Sequence, residues 1–164
     1  MTNHPSSNYP DIGIVGEDLV VQWLQSTGWI ILHRRWRCRM GEIDIIAQYD
    51  RKHGDNQTTR QGSTQESILA FVEVKTRSQG NWDAGGRNAL TKQKQTKLWH
   101  TALMFLAKYP EKADYPCRFD VAIVCYQPSQ ELLGVTIAQE TIATSSVGEH
   151  LLMLQEYIKA AFDT

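Results

Sequence analysis

The period of the apolar residues changes along the chain, and each change marks an element. From Ile12 to Thr27, Val15, Leu19, Val20, Trp23 and Leu24 recur at helical spacing and Gly28 supplies a stop, which predicts a first helix. Trp29–Arg34 (WIILHR) and Glu42–Tyr49 (EIDIIAQY) read as two strands, close enough for a hairpin. Ile68–Thr76 (ILAFVEVKT) is the strongest strand signal. A Gly/Asn-rich loop over Gly80–Asn88 separates it from a second helix, Leu90–Lys108, ended by Pro110. The apolar stripe expected on that helix is Leu98, Trp99, Ala102, Leu103, Phe105 and Leu106. Arg118–Tyr126 and Leu132–Ala138 read as strands and Glu149–Phe162 as a closing helix.

The polar positions complete the outline. Residues 1–11 read as a loose N-terminal arm. Residues 50–67 contain no Val, Ile, Leu, Met or Phe and are rich in Gln, Thr, Gly and Ser, which predicts a flexible loop insertion. Residues 12–164 then form a single domain in the order α-β-β-β-α-β-β-α. That order predicts an α/β fold with a central mixed sheet of about five strands flanked by helices.

Composition narrows the class more than the function. With 164 residues, 41% of them hydrophobic, the chain can build one sizeable core. A net charge of −1 does not mark a nucleic-acid binder, so such a reading depends on where the charges sit. Cys38, Cys117 and Cys125 show no CxxC spacing, which argues against a zinc site and for a reducing compartment. With no apolar leader and no long apolar run, a cytoplasmic protein without membrane association is expected.

The chemistry collects where carboxylates enter apolar strands. Side chains alternate along a strand, so Phe71, Glu73 and Lys75 share one face. Burying ions there costs several kcal/mol each unless something compensates. Asp44 is embedded in the same way within Ile43-Asp44-Ile45-Ile46. If the two strands are neighbours, Asp44 and Glu73 face one another, and a divalent cation resolves their repulsion because hard cations take carboxylate oxygens. On a helical wheel Glu17 is the one acid of the first helix aimed toward the sheet, while Asp18 points away. Directly before Asp44 stands RRWRCRMGEI. Arg35, Arg37 and Arg39 can lie on one side of an extended run there and hold phosphates.

Each residue also has a plainer reading. Glu73 and Lys75 can be a structural ion pair, the arginine run a solvated turn, and Glu17 a solvated helix residue. Lys94 and Gln95 stand where polar residues commonly open helices. Arg118 and Asp120 read as a structural polar pair, and Trp36 and Trp82 as core or rim residues. The five histidines show no ligand spacing.

Taken together, GE (Gly16, Glu17), GEIDIIA, FVEVKTR, the KQ of the second helix and RFDVAIV resemble the PD-(D/E)xK nuclease superfamily. More narrowly, the chain resembles its YraN-like bacterial family, which has a restriction-endonuclease-like fold and is related to archaeal Holliday-junction resolvases. The similarity covers about Gly16 to Tyr126 and the last helix. It implies a metal-dependent endonuclease acting on branched or structured DNA, with Mg²⁺ or Mn²⁺ as cofactor. By position it implies Asp44, Glu73 and the Val74 carbonyl as metal ligands, and Lys75 beside the attacking water or the charged transition state. Glu17 would complete the site, and Lys94 and Gln95 would be auxiliary. Resolvase-like relatives also imply a homodimer. The alternative is a nucleic-acid-binding or regulatory module that keeps the fold without efficient cleavage.

Overall fold

The Asp11 carboxylate accepts the Gly13 amide at 2.9 Å and so starts the first helix, α1 (Ile12–Ser26). In this computed structural model, which describes residues 11–50, 67–78, 90–129 and 141–162, strands β1 (Ile30–Cys38) and β2 (Gly41–Tyr49) follow. They are succeeded by β3 (Ile68–Ser78), α2 (Lys92–Lys108), a 3₁₀ turn at Pro110–Lys112 and β4 (Cys117–Pro128). The chain closes with β5 (Ala143–Val147) and β6 (His150–Phe162). The fold is mixed α/β, as the sequence predicts, with a six-stranded sheet in the order β1-β2-β3-β4-β6-β5 flanked by helices. Only β3 and β4 run parallel, and the crossover that a parallel pair needs is the segment carrying α2.

The sheet separates two cores. On one face Val15, Leu19, Val20 and Leu24 of α1 pack on Ile45, Ala47, Ala70, Val72, Ala122 and Val124. On the other, Leu98, Ala102 and Phe105 of α2 pack on Ile43, Ile46, Leu69, Phe71, Phe119 and Val121. Phe105 stands edge-on to both Phe71 and Trp36, so Trp36 is a core residue. Because both faces are covered, β3 and β4 read as continuous apolar runs without alternation. An acid inside such a strand is therefore buried unless the sheet opens beside it.

Several expectations change. The closing helix is absent: Glu149 lies in a turn, and residues 150–162 form β6. Leu151, Leu154 and Ile158 fit helical spacing, but a short apolar run serves a buried strand equally well. Two local features decide it. Gly148 (φ 57°) and Glu149 form a two-residue hairpin loop between Val147 and His150, which pairs β5 with β6. Further along, three residues of β6 bulge opposite Asp120, and Ala160 takes φ 47°. The buried Asp120 carboxylate fastens that bulge by accepting the Ala160 amide (3.0 Å), the Tyr157 hydroxyl (2.8 Å) and the Arg118 guanidinium (3.0 Å). Arg118 and Asp120 are the structural pair expected, with a wider role in holding β6 on β4.

The first strand runs on to Cys38, beyond the expected end at Arg34, so most of the arginine run is strand. The stripe on α2 is narrower than predicted. Leu98, Ala102 and Phe105 are buried, but Trp99 and Leu103 are 37% and 43% exposed. Buried Thr101 joins the stripe by donating its hydroxyl to the Lys97 carbonyl at 2.7 Å. The expected arm (residues 1–11, apart from Asp11), most of the 50–67 loop, the whole Gly80–Asn88 loop with Trp82, and the Leu132–Ala138 strand lie outside the described residues. Among the described residues no helix is long and apolar enough to cross a membrane.

Candidate active site

The ladder between β2 and β3 runs from Tyr49–Ile68 to Ile45–Val72 and stops there. Continued by one step, this antiparallel register sets Asp44 opposite Glu73. Beyond that point β2 keeps pairing with β1, and β3 with β4. The two central strands fork. At the crotch the Asp44 carboxylate takes the place of a ladder carbonyl by accepting the Val74 amide at 2.7 Å. That bond explains how an acid is tolerated inside Ile43-Asp44-Ile45.

Glu73 points to the α2 side and is only 4% exposed. Its Oε1 accepts both Lys75 Nζ at 2.8 Å and Lys94 Nζ at 3.2 Å. Its Oε2 is buried and has no hydrogen-bond partner among the described residues. A buried carboxylate oxygen left unpaired loses the full desolvation energy of that group, so its presence calls for an explanation. Asp44 carries the strain of the pair. Burial pushes its carboxyl up to about 6, and the charge of Glu73 adds to this. The Val74 amide and, more weakly, Lys94 pull the other way, and Glu17 adds a smaller upward push.

Gly16 brings α1 close to this end of β3. A Cβ at Gly16 would lie 2.1 Å from Thr76 Oγ1, so only glycine lets the helix rest on the strand. The next residue, Glu17, does face the sheet. Its carboxylate, however, accepts Arg35 Nε at 2.7 Å. Neighbouring Asp18 does not point away as expected but pairs with Arg34. Both contacts follow from the backbone of β1. Leu32 is an extra residue in the register, and Arg35 adopts φ 48°, a left-handed conformation uncommon outside glycine. Arg34 and Arg35 therefore both reach α1.

The other expected residues divide. Lys75 and Lys94 are brought to the acids. Gln95 is not: its side-chain amide donates to the Leu90 carbonyl at 3.1 Å, near the start of α2. Val74 meets Asp44 through its amide. Arg37 pairs with Glu42 across the hairpin at 2.8 Å and stays largely exposed, and Arg39 is exposed at the turn. The Arg35–Glu17 and Arg34–Asp18 pairs went unforeseen, because periodicity carries no sign of a left-handed residue in mid-strand.

Two carboxylates, one of them with an orphaned buried oxygen, and a neighbouring backbone carbonyl form a hard-oxygen donor set. Among the described residues no three His, Cys, Asp or Glu side chains gather into a metal-binding group. Mg²⁺ does not need three, since it is commonly held by one or two carboxylates and keeps several waters. The residues present fit such an ion.

The model of the uncharacterised protein family UPF0102 matches residues 16–124, which include every acid and lysine of this site. The chain belongs to the UPF0102 family. A UPF0102 protein of Trichormus variabilis is 59% identical over 154 residues, covering 93% of this chain and 95% of that protein. One from Nostoc is 59% identical over 153 residues, with 93% and 94% covered. Another, from Trichodesmium erythraeum, is 46% identical over 164 residues, with 93% and 88% covered. The UPF0102 match starts at Gly16, the residue that sets α1 on β3, and reaches β4, so it takes in the whole forked region.

Proposed function

We propose that this UPF0102 protein is a divalent-metal-dependent DNA endonuclease of the PD-(D/E)xK type, hydrolysing phosphodiester bonds in branched or structured DNA. The observation that carries the reading is the closeness of Asp44 and Glu73 just past the end of the ladder, with Glu73 Oε2 buried and, among the described residues, unpartnered beside two lysines. A structural ion pair accounts for Oε1 but leaves Oε2 unexplained. Asp44, Glu73 and the Val74 carbonyl would hold Mg²⁺ or Mn²⁺. When bound, the ion supplies Lewis-acid polarisation of the phosphoryl oxygens and lowers the pKa of water.

The chain's own groups do the rest. Lys75 is held against Glu73 on the strand that bears both, so its ammonium is preorganised where negative charge grows at the scissile phosphate. Lys94 enters from α2 and can exchange Glu73 for a phosphate oxygen, with the start of the helix fixed by the Thr91 cap. Asp44 is ionised near neutral pH and is oriented by the Val74 amide. Arg37 and Arg39, exposed on the hairpin that leads into Asp44, would grip the DNA backbone.

A second reading has its own support. Glu17 is committed to Arg35 and Gln95 to the Leu90 carbonyl, which favours a DNA-binding or regulatory module without efficient cleavage. Linear, nicked, flap and four-way DNA incubated with Mg²⁺ or Mn²⁺ separates the two. The endonuclease reading expects metal-dependent cutting that is greatest on structured DNA. Binding without cutting in either metal supports the module instead.

A further inference from the structure

The Arg35–Glu17 pair lies beside the acidic centre, close enough for the Glu17 charge to act on Asp44. Arg35 stands between the cross-strand pairs Arg34–Ile45 and Trp36–Ile43, directly across from Asp44. Its backbone is held at φ 48°, a conformation that a bulky residue keeps only when its surroundings fix it. The Nε–Oε2 bond of 2.7 Å to Glu17 supplies that restraint. Glu17 is only 14% exposed, yet among the described residues its carboxylate does not join Asp44 and Glu73 in a cluster. An acid that is close to the centre but bound to an arginine is a ligand in reserve. The arginine that restrains it belongs to the basic run suited to phosphate.

We propose that Arg35 latches Glu17 away from the centre in the DNA-free protein. A backbone phosphate that draws the guanidinium off Glu17 frees that carboxylate to join Asp44 and Glu73 as a third ligand for the cation. This rests on the nuclease reading and adds its regulation: the metal site is completed by the substrate. A phosphate suits the exchange because it offers the guanidinium a charged acceptor of the same kind that Glu17 now provides, with room for a bidentate grip. The linkage is reciprocal, so DNA tightens the metal and the metal tightens DNA by the same factor.

The test is calorimetric titration of the full chain with Ca²⁺, which occupies oxygen sites, using a phosphorothioate duplex as a cleavage-resistant DNA. The wild-type protein is expected to bind Ca²⁺ more tightly in the presence of the duplex, by about 5- to 150-fold, the usual range of such coupling. Arg35→Asn suits the left-handed backbone and releases Glu17. This variant is expected to bind Ca²⁺ without DNA at least about fivefold more tightly than wild type and to lose most of the DNA effect. Arg34→Asn removes the same charge next door and is the electrostatic control. In Arg35→Asn/Glu17→Gln the gain is expected to vanish. Melting temperatures verify that each variant folds. If Arg35→Asn gains no more than Arg34→Asn, or keeps its gain without Glu17, the latch is wrong and the nuclease reading stands. If no variant and no wild-type sample binds a divalent ion with or without DNA, the nuclease reading falls and takes the latch with it.

Discussion

The Asp44 carboxylate accepts the Val74 amide at 2.7 Å, tying β2 to β3 where their ladder ends. That bond holds one acid beside another, Glu73, with burial on both, and most of the chemistry proposed for the chain follows from it. Burial of Asp44 beside the charge of Glu73 has a measurable cost in stability, which the Val74 amide only partly offsets. The Asp44 carboxyl titrates at about 6 in the folded, metal-free chain, above its ordinary 3.8. Between those values the folded state holds a proton that the unfolded state has released. The stability contributed by Asp44 therefore falls as pH rises from about 4 to about 6 and stays low above that, by up to about 3 kcal/mol. Asp44→Asn keeps an acceptor for the Val74 amide and cannot titrate. In urea unfolding with chelator present, the variant is expected to match wild type near pH 4 and to exceed it at pH 7 by up to about that amount.

Lys75 and Lys94 share one carboxylate oxygen but differ in origin, one on the strand with Glu73 and one on α2. Lys75→Ala is expected to lower the cleavage rate about a hundredfold or more while DNA affinity stays near wild type, the signature of a group needed most in the transition state. Lys94→Ala, whose lysine is more exposed, is expected to lose less. Single-turnover rates and filter binding on the same DNA measure the two quantities separately.

Arg37 and Arg39 are assigned to holding rather than cutting. Replacing both with alanine is expected to weaken binding to every sequence alike. The log–log salt slope on duplex DNA is expected to fall by about 0.9 for each phosphate that is no longer held. An unchanged slope places the DNA elsewhere on the protein.

The closeness of α1 to β3 is tested at Gly16. Gly16→Ala puts a methyl 2.1 Å from Thr76 Oγ1 and is expected to destabilise the fold by about 1–3 kcal/mol. Thr76→Ala removes that oxygen, which is buried without a partner among the described residues, so the double variant is expected to recover much of the loss. Non-additivity in a double-mutant cycle by thermal unfolding is the readout.

How far the sequence could reveal this depended on which force decided each residue. Asp44, Glu73 and Lys75 were legible because charged groups inside apolar strands contradict their surroundings, and only a pairing or a cation removes the contradiction. The facing of Glu17 followed from the helical period. Its partner did not, because the bulge at Leu32 and the left-handed Arg35 are settled by packing between β1 and α1. The mistaken last helix has a similar origin. Leu151 to Leu154 satisfy either period, and β6 is chosen by the unfilled edge of β4 and the carboxylate of Asp120. The Gly148-Glu149 hairpin was readable in SSVGEHLL and offered the missed signal. Gln95 shows the limit of reasoning by position, since the same residue type serves to brace the start of α2.

The central claim is that Asp44 and Glu73 hold a divalent cation, and the most direct measurement is calorimetric titration of Mn²⁺ into wild type, Asp44→Asn and Glu73→Gln. Binding by the wild-type protein, with loss of binding in both folded variants, is the result predicted here. Equal Mn²⁺ affinity in all three proteins, or no binding by wild type, contradicts it.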